Sequence, residues 1–179
     1  MLTACQGTPP SSAAPEEACN GADEQRAPGF YADLEALVPT KLGGSAPTGL
    51  ESGRYCSRRT LGSLLDAGVP ELRFAGASQS AGFRRGVSVA VFRAPGLTLD
   101  ALADSFATGA DSARRVSEVH AEKLSVAGRP AIRIDAVERG QPQTVVLWPA
   151  APRDTFNAVI AVGSDEAAIA AGIDAFGDG

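Results

Sequence analysis

Six stretches between positions 71 and 162 read as strands, by period-two alternation or as short apolar runs, and most are separated only by short connections. Nothing else in the chain constrains its fold as strongly. Successive side chains of a strand point to opposite faces, so segments of this kind belong to a layered sheet. Residues 71–77 place Leu72 and Phe74 on one side. Residues 86–93 place Val87, Val89 and Val91 on one side, with Ala90 and Phe92 on the other. Residues 118–126 and 130–137 join around Gly128, with Ile132 and Ile134 facing in and Arg133 and Asp135 facing out. Residues 144–148 and 156–162 are apolar on both faces, the mark of central strands covered from both sides. Short connections favour an antiparallel meander over a parallel sheet.

Helices are expected at four places. Residues 31–38 carry Leu34, Leu37 and Val38 at helical spacing and end at Pro39. Residues 61–67 are expected to start at a Thr60 cap and stop at Gly68. The strongest helix begins at Thr98, with Asp100 in the first turn and Leu97 and Leu102 placed as a hydrophobic staple. Its buried stripe is Leu99, Leu102, Ala103 and Phe106, and Gly109 is the expected stop. A last helix follows a Ser164 cap, with Asp165 and Glu166 in the first turn, Ile169, Ile173 and Phe176 on its core face, and Gly177 at its end. Residues 41–53 hold four glycines and one proline and read as loop with a short strand. The expected class is α+β: one domain over residues 29–179, an antiparallel sheet of about six strands with helices packed on it. In element order this is similar to the PsbP-like sandwich, a fold that includes a group of actinobacterial LpqN-like lipoproteins. The resemblance spans about residues 61–176 and implies a non-catalytic accessory or binding protein.

The start of the chain suggests an address. Leu2-Thr3-Ala4-Cys5 resembles a bacterial lipobox, which implies cleavage before Cys5 and lipidation of that cysteine, with residues 1–5 a remnant of a lipoprotein signal. Such a signal needs a basic start and an apolar stretch ahead of the box, and here only Met1 precedes it. Residues 6–28 are rich in Ser, Pro, Ala, Gly and acidic side chains, too polar to offset chain entropy by burial, and are expected to form a disordered tether. The implied location is extracytoplasmic, on the outer face of the bacterial cell membrane, held by the lipid on Cys5. The alternative is an ordinary disordered N-terminus. No apolar run approaches the roughly 20 residues of a membrane helix. A net charge of -5 and a pI near 4.9 give no electrostatic case for nucleic acid.

If Cys5 carries lipid, Cys19 and Cys56 are left as a pair, and in an oxidising compartment they are expected to bond. In a cytosolic chain they are free thiols. The absence of Cys-x-x-Cys suggests neither zinc nor thioredoxin-type chemistry. The Arg58-Arg59, Arg84-Arg85 and Arg114-Arg115 pairs offer bidentate groups for an anion, but solvated surface charge is the expected role.

No catalytic residue, metal ligand or cofactor site is expected. His120 is the only histidine; with Glu118 and Glu122 on alternate positions it reads as the solvated end of a strand. Asp100 and Asp104 lie one helical turn apart and read as helix charges, not as a glycosidase dyad. Neither a nucleophile elbow nor a phosphate-loop or dinucleotide fingerprint is present. Trp148 is expected in the core. Three functions follow as alternatives. The first is a non-catalytic, membrane-tethered module that binds an envelope protein, marked by an exposed apolar patch. The second is a carrier of a lipid or other apolar ligand, marked by a closed apolar cavity between helix and sheet. The third is an enzyme whose site the sequence does not reveal. The ligand-binding residues are not legible at this level.

Overall fold

The computed structural model describes residues 17–19, 24–80, 82, 85–113, 116–163 and 166–177. Cys5, the first part of the expected tether, Arg84, Arg114, Arg115, and Ser164 with Asp165 lie outside the described residues. The elements run β1 (Arg26–Ala27), α1 (Ala32–Glu35), β2 (Thr48–Tyr55), α2 (Arg58–Leu61), α3 (Ser63–Asp66), β3 (Leu72–Ser80) and β4 (Gly86–Arg93). They continue with α4 (Leu99–Asp111), β5 (Val116–Val126), β6 (Arg129–Glu138), β7 (Gln141–Ala150), β8 (Thr155–Val162) and α5 (Glu166–Asp174).

All eight strands form one antiparallel sheet in the order β1-β2-β3-β4-β8-β7-β6-β5. Two four-stranded meanders thus meet at their last strands. After β4 the chain crosses the sheet through α4 to the far edge, then returns strand by strand until β8 pairs with β4, Val89 opposite Val159. This corrects the α+β expectation of about six strands. The described residues are mostly β, 45% strand against 23% helix, and the helices are short. The two additional strands are β1 and β2. Glycine is depleted in strands, and for that reason the glycine-rich run 41–53 reads as loop with only a short strand. Yet Gly53 stands opposite Arg26, and a Cβ there would lie 2.4 Å from the Gln25 carbonyl oxygen. The glycine marks a close approach of two backbones, the usual meaning of glycine inside a strand.

Each face of the sheet has its own core. On one side α2, α3 and α4 cover Phe74, Phe92, Ile132, Ile134, Leu147 and Phe156 with Leu61, Leu64, Leu97 and Leu102. On the other, α1 and α5 cover Val87, Val89, Val91, Val146, Trp148 and Val159 with Leu34 and Ile169. Each fully buried aliphatic or aromatic side chain of this kind contributes about 1.5–3 kcal/mol before entropy is counted. Trp148 is 4% exposed and meets Phe176 edge to face at 5.2 Å, so its role is core. Gly172 lets α5 sit against the sheet, since a Cβ there would fall 2.8 Å from a Val159 methyl. Arg133 fastens the other end of α5, donating to Glu166 at 2.6 Å and to Asp135 at 2.7 Å. Burial raises the Asp135 carboxyl, but the bonds from Arg133 and Thr144 outweigh it and hold the group below its usual value.

The helix ends differ from the sequence reading in several places: α1 stops at Glu35, short of Val38, and α5 stops at Asp174, short of Gly177. Thr98 caps α4 as expected, accepting from the Ala101 N–H at 3.2 Å. Gly109, however, does not stop that helix, which continues to Asp111. The helix expected at 61–67 is two single turns broken at Gly62, whose φ is +53°, and the cap of the first is Ser57 in place of Thr60. Among the described residues no helix is long and apolar enough to cross a membrane.

The N-terminal strap is fastened to β2 and the turn after it. Cys19 and Cys56 are joined at an Sγ–Sγ distance of 2.08 Å, with Cα atoms 6.0 Å apart. The Arg54 guanidinium is buried, donates from Nη1 to the Glu17 carbonyl, stands 3.9 Å from a Glu71 oxygen and lies over the Phe30 ring at 5.7 Å. The Glu24 carboxylate accepts the N–H groups of Cys56 at 2.9 Å and Ser57 at 2.7 Å, and the Thr60 hydroxyl. Glu24 to Ala27, within the stretch that composition assigns to the tether, are therefore attached to the domain.

Candidate functional site

The apolar stripe of α4 sets up the site. Leu102, Phe106, Gly109 and Ala110 follow one another at steps of four, three and one, so they share a face of α4, and Ala113, just past the helix end, also lines the site. The first two are large and reach the sheet: Leu102 is buried, and Phe106 meets Phe92 edge to face at 5.7 Å. The last three are small, and so is Ala136 on the sheet beneath. Where small residues face small residues, a gap remains. The result is a groove of about 630 Å³, open along one side, between α4, the α2–α3 pair and the sheet. Its floor is Phe92, Ile134, Ala136, Val145 and Ile160, and its far wall is Tyr55, Leu64 and Leu72. A Cβ added at Gly109 would meet nothing within 4 Å, in keeping with the open space beside it.

Polar groups sit at the two ends. At one is Thr60, whose hydroxyl is engaged by Glu24. At the other are Glu138 and Gln143, the Gln143 amide donating to Glu138 at 2.5 Å, with the Arg139 guanidinium 3.8 Å from the second Glu138 oxygen. The hairpin that carries them is tight: Arg139 and Gly140 have φ of +52° and +76°, the primed turn that suits a two-residue β connection. Burial pushes the Tyr55 phenol above its usual value, so this lining hydroxyl stays protonated near neutrality. Largely apolar walls with a few polar groups at set points are the make-up of a binding pocket, and the volume falls in the usual range of roughly 300–1,000 Å³.

The residues singled out in the sequence lie elsewhere. His120 and Glu122 are exposed on the edge strand β5, and a bulge between Ser117 and His120 puts Glu118 at φ +56°, which breaks the alternation that would have aligned all three. Asp100 pairs with Lys123 at 3.7 Å, both of them exposed, and Asp104 is exposed. Arg58 pairs with Asp66 at 3.2 Å, exposed, and Arg59 does not converge with it on any site. Among the described residues no group of three His, Cys, Asp or Glu side chains could hold a metal ion. None of the groove's residues carried a chemical signal in the sequence. The one trace of it is the change from large to small along the α4 stripe.

Glu24 gives the groove's closed end a pH dependence. Burial raises its carboxyl, but bonds from the Thr60 hydroxyl, the Ser57 and Cys56 N–H groups and the Ser57 side chain outweigh this and hold it at about 2, against 4.5 ordinarily. A carboxyl depressed in the folded state contributes stability that is present above pH 4.5 and lost as pH falls from 4.5 towards 2. The group is only partly covered, so screening limits the contribution to about 1 kcal/mol. Glu24→Gln is expected to lower stability by that amount at pH 7 and to flatten the decline between pH 4.5 and 2. Urea unfolding at stepped pH reads this, and an unchanged acid slope in the variant would refute the assignment.

In comparisons with known proteins, no family model and no curated protein matches the chain.

Proposed function

We propose that this protein is a lipid-anchored, extracytoplasmic and non-catalytic carrier of an apolar or amphipathic small molecule, held in the groove beneath α4. The observation that carries the reading is the 630 Å³ apolar groove itself. Each methylene a ligand withdraws from water there contributes about 0.8 kcal/mol, and the polar groups at the ends fix its direction. The hydroxyls in the lining, Tyr55, Thr60 and Ser105, have no imidazole beside them, since His120 is not among the groove's residues. This favours holding a ligand over transforming it. The lipobox supplies the anchor at Cys5, and the Cys19–Cys56 pair supports an oxidising compartment, where such bonds persist.

Docking to an envelope protein ranks second. The exposed large hydrophobic residues among those described are Leu37 and Leu50, two side chains and less than the apolar patch of several hundred Å² that marks a docking surface. The free edge of β5 bears a bulge and the charged Glu118, Glu122 and Lys123, features that discourage strand addition.

The test is titration of the domain with Nile red, a neutral fluorescent probe. Saturable one-to-one binding is expected. Ala136→Phe, which fills the groove from the floor, and Ala110→Trp, which fills it from the helix, should each abolish binding and leave the circular dichroism spectrum intact. Failure of the parent to bind, or full binding in both filled variants, removes the carrier reading. The anchor is tested separately: Cys5→Ser, expressed from the full gene, should move the protein out of the membrane fraction, and unchanged fractionation refutes lipidation.

A further inference from the structure

We infer that the groove selects a single-chain lipid with an uncharged, hydroxyl-bearing head, and that Glu138 and Gln143 are the residues that read the head. The inference rests on the carrier reading and adds a ligand class to it. The two ends of the groove are not equivalent. Thr60 is occupied, its hydroxyl donated to Glu24, and the strap is bonded close by through Cys56. The Glu138–Gln143 end has capacity left. Gln143 spends one amide hydrogen on Glu138 and keeps a second hydrogen and its carbonyl oxygen. The Glu138 oxygen facing Arg139 is 3.8 Å from it, beyond hydrogen-bond length, and can still accept. A hydroxyl both donates and accepts, so it satisfies a carboxylate oxygen and an amide N–H at once.

Charge balance points the same way. Glu138 and Arg139 offset each other, so the pair presents little net charge to the groove. A carboxylate head would meet Glu138, and an ammonium head set on the open Glu138 oxygen would stand beside the Arg139 guanidinium, 3.8 Å from that oxygen. Each would also leave water for a largely apolar site, which is costly for a charge without a full partner. The tight β6–β7 turn sets Glu138 and Gln143 in the groove's lining, with the half-exposed Arg139 behind Glu138. The length of α4 from Leu102 to Asp111 gives the groove a run of about 14 Å, suited to an extended chain and not to a compact ring system.

The experiment is displacement of Nile red from the intact protein by three lipids of equal chain length: a monoacylglycerol, the free fatty acid and the alkylamine. The monoacylglycerol should displace the probe with an affinity about tenfold or more above either charged lipid, the worth of one hydrogen bond to a charged group. Glu138→Gln leaves Arg139 without its counter-charge and should shift preference towards the fatty acid. Arg139→Gln should shift it towards the alkylamine, and Gln143→Leu should weaken the monoacylglycerol alone. Equal binding of the three lipids, or preference for a charged head in the parent, overturns the inference and leaves the carrier reading standing. So does a preference that none of the three substitutions moves. Absence of any binding, Nile red included, defeats both.

Discussion

Replacing Cys19 and Cys56 together by serine is expected to lower the free energy of unfolding by about 3–4 kcal/mol, the chain-entropy value for a loop of this length. The bond joins residues 37 positions apart, and its removal returns that freedom to the unfolded chain. The native side also loses something. Cys19 lies in the strap that gives Arg54 the Glu17 carbonyl, and Arg54 is a buried cation that needs its partners. The Glu24 bonds and the short β1–β2 pairing remain in the variant, so the strap from Glu24 onward should stay attached. Urea unfolding of the parent, the double variant and the reduced parent is the measurement. Reduced parent and double variant should coincide. A loss under 1 kcal/mol would mean that the strap is held without the bond, and that its tie to the groove's closed end lies in Glu24 alone.

How far the sequence speaks for the fold depends on the element. Strands β3 to β8 are legible because their signals are local: alternation in β6, Ile132 and Ile134 on one face and Arg133 and Asp135 on the other, and short apolar runs in β7 and β8. The Thr98 cap was legible for the same reason, being a matter of one side chain and the amide three residues on. Setting Cys5 aside as the lipobox cysteine left Cys19 and Cys56 as the pair, and these two are joined. What failed was whatever depends on distant chain. Gly53 reads as a strand breaker until Arg26 and Gln25 are brought against it. Gly62 splits a helix that hydrophobic spacing alone would continue. The groove was least legible of all, because it is a space: Ala110 and Ala113 look like weak helix core, and they become a wall only when Ala136, some two dozen residues later, faces them across the gap. Chemistry-bearing residue types drew attention to His120 and its glutamates, yet binding of an apolar ligand uses residues whose types carry no signal at all.

Two substitutions on the same helix should move stability in opposite directions. Leu102→Ala is expected to cost about 2–5 kcal/mol, the range for a buried leucine whose surroundings collapse only in part. Leu102 is 1% exposed and is the side chain by which α4 grips the sheet core. Gly109→Ala, seven residues on, is expected to stabilise by about 0.5–1 kcal/mol, because it removes backbone freedom from the unfolded chain at a position that is already helical. Its new methyl meets nothing within 4 Å, so no steric cost offsets the gain. Urea midpoints with unchanged slopes would report both effects as stability alone. The contrast also separates two accounts of the groove. If the space beside α4 is native, Gly109→Ala is tolerated and Nile red still binds, while Leu102→Ala widens the groove and loosens its wall. If α4 closes fully onto the sheet in solution, the methyl at position 109 meets the floor, and Gly109→Ala becomes destabilising. A loss of more than about 1 kcal/mol in that variant, the scale of overpacking a filled core, would therefore count against the groove as well as against the helix argument.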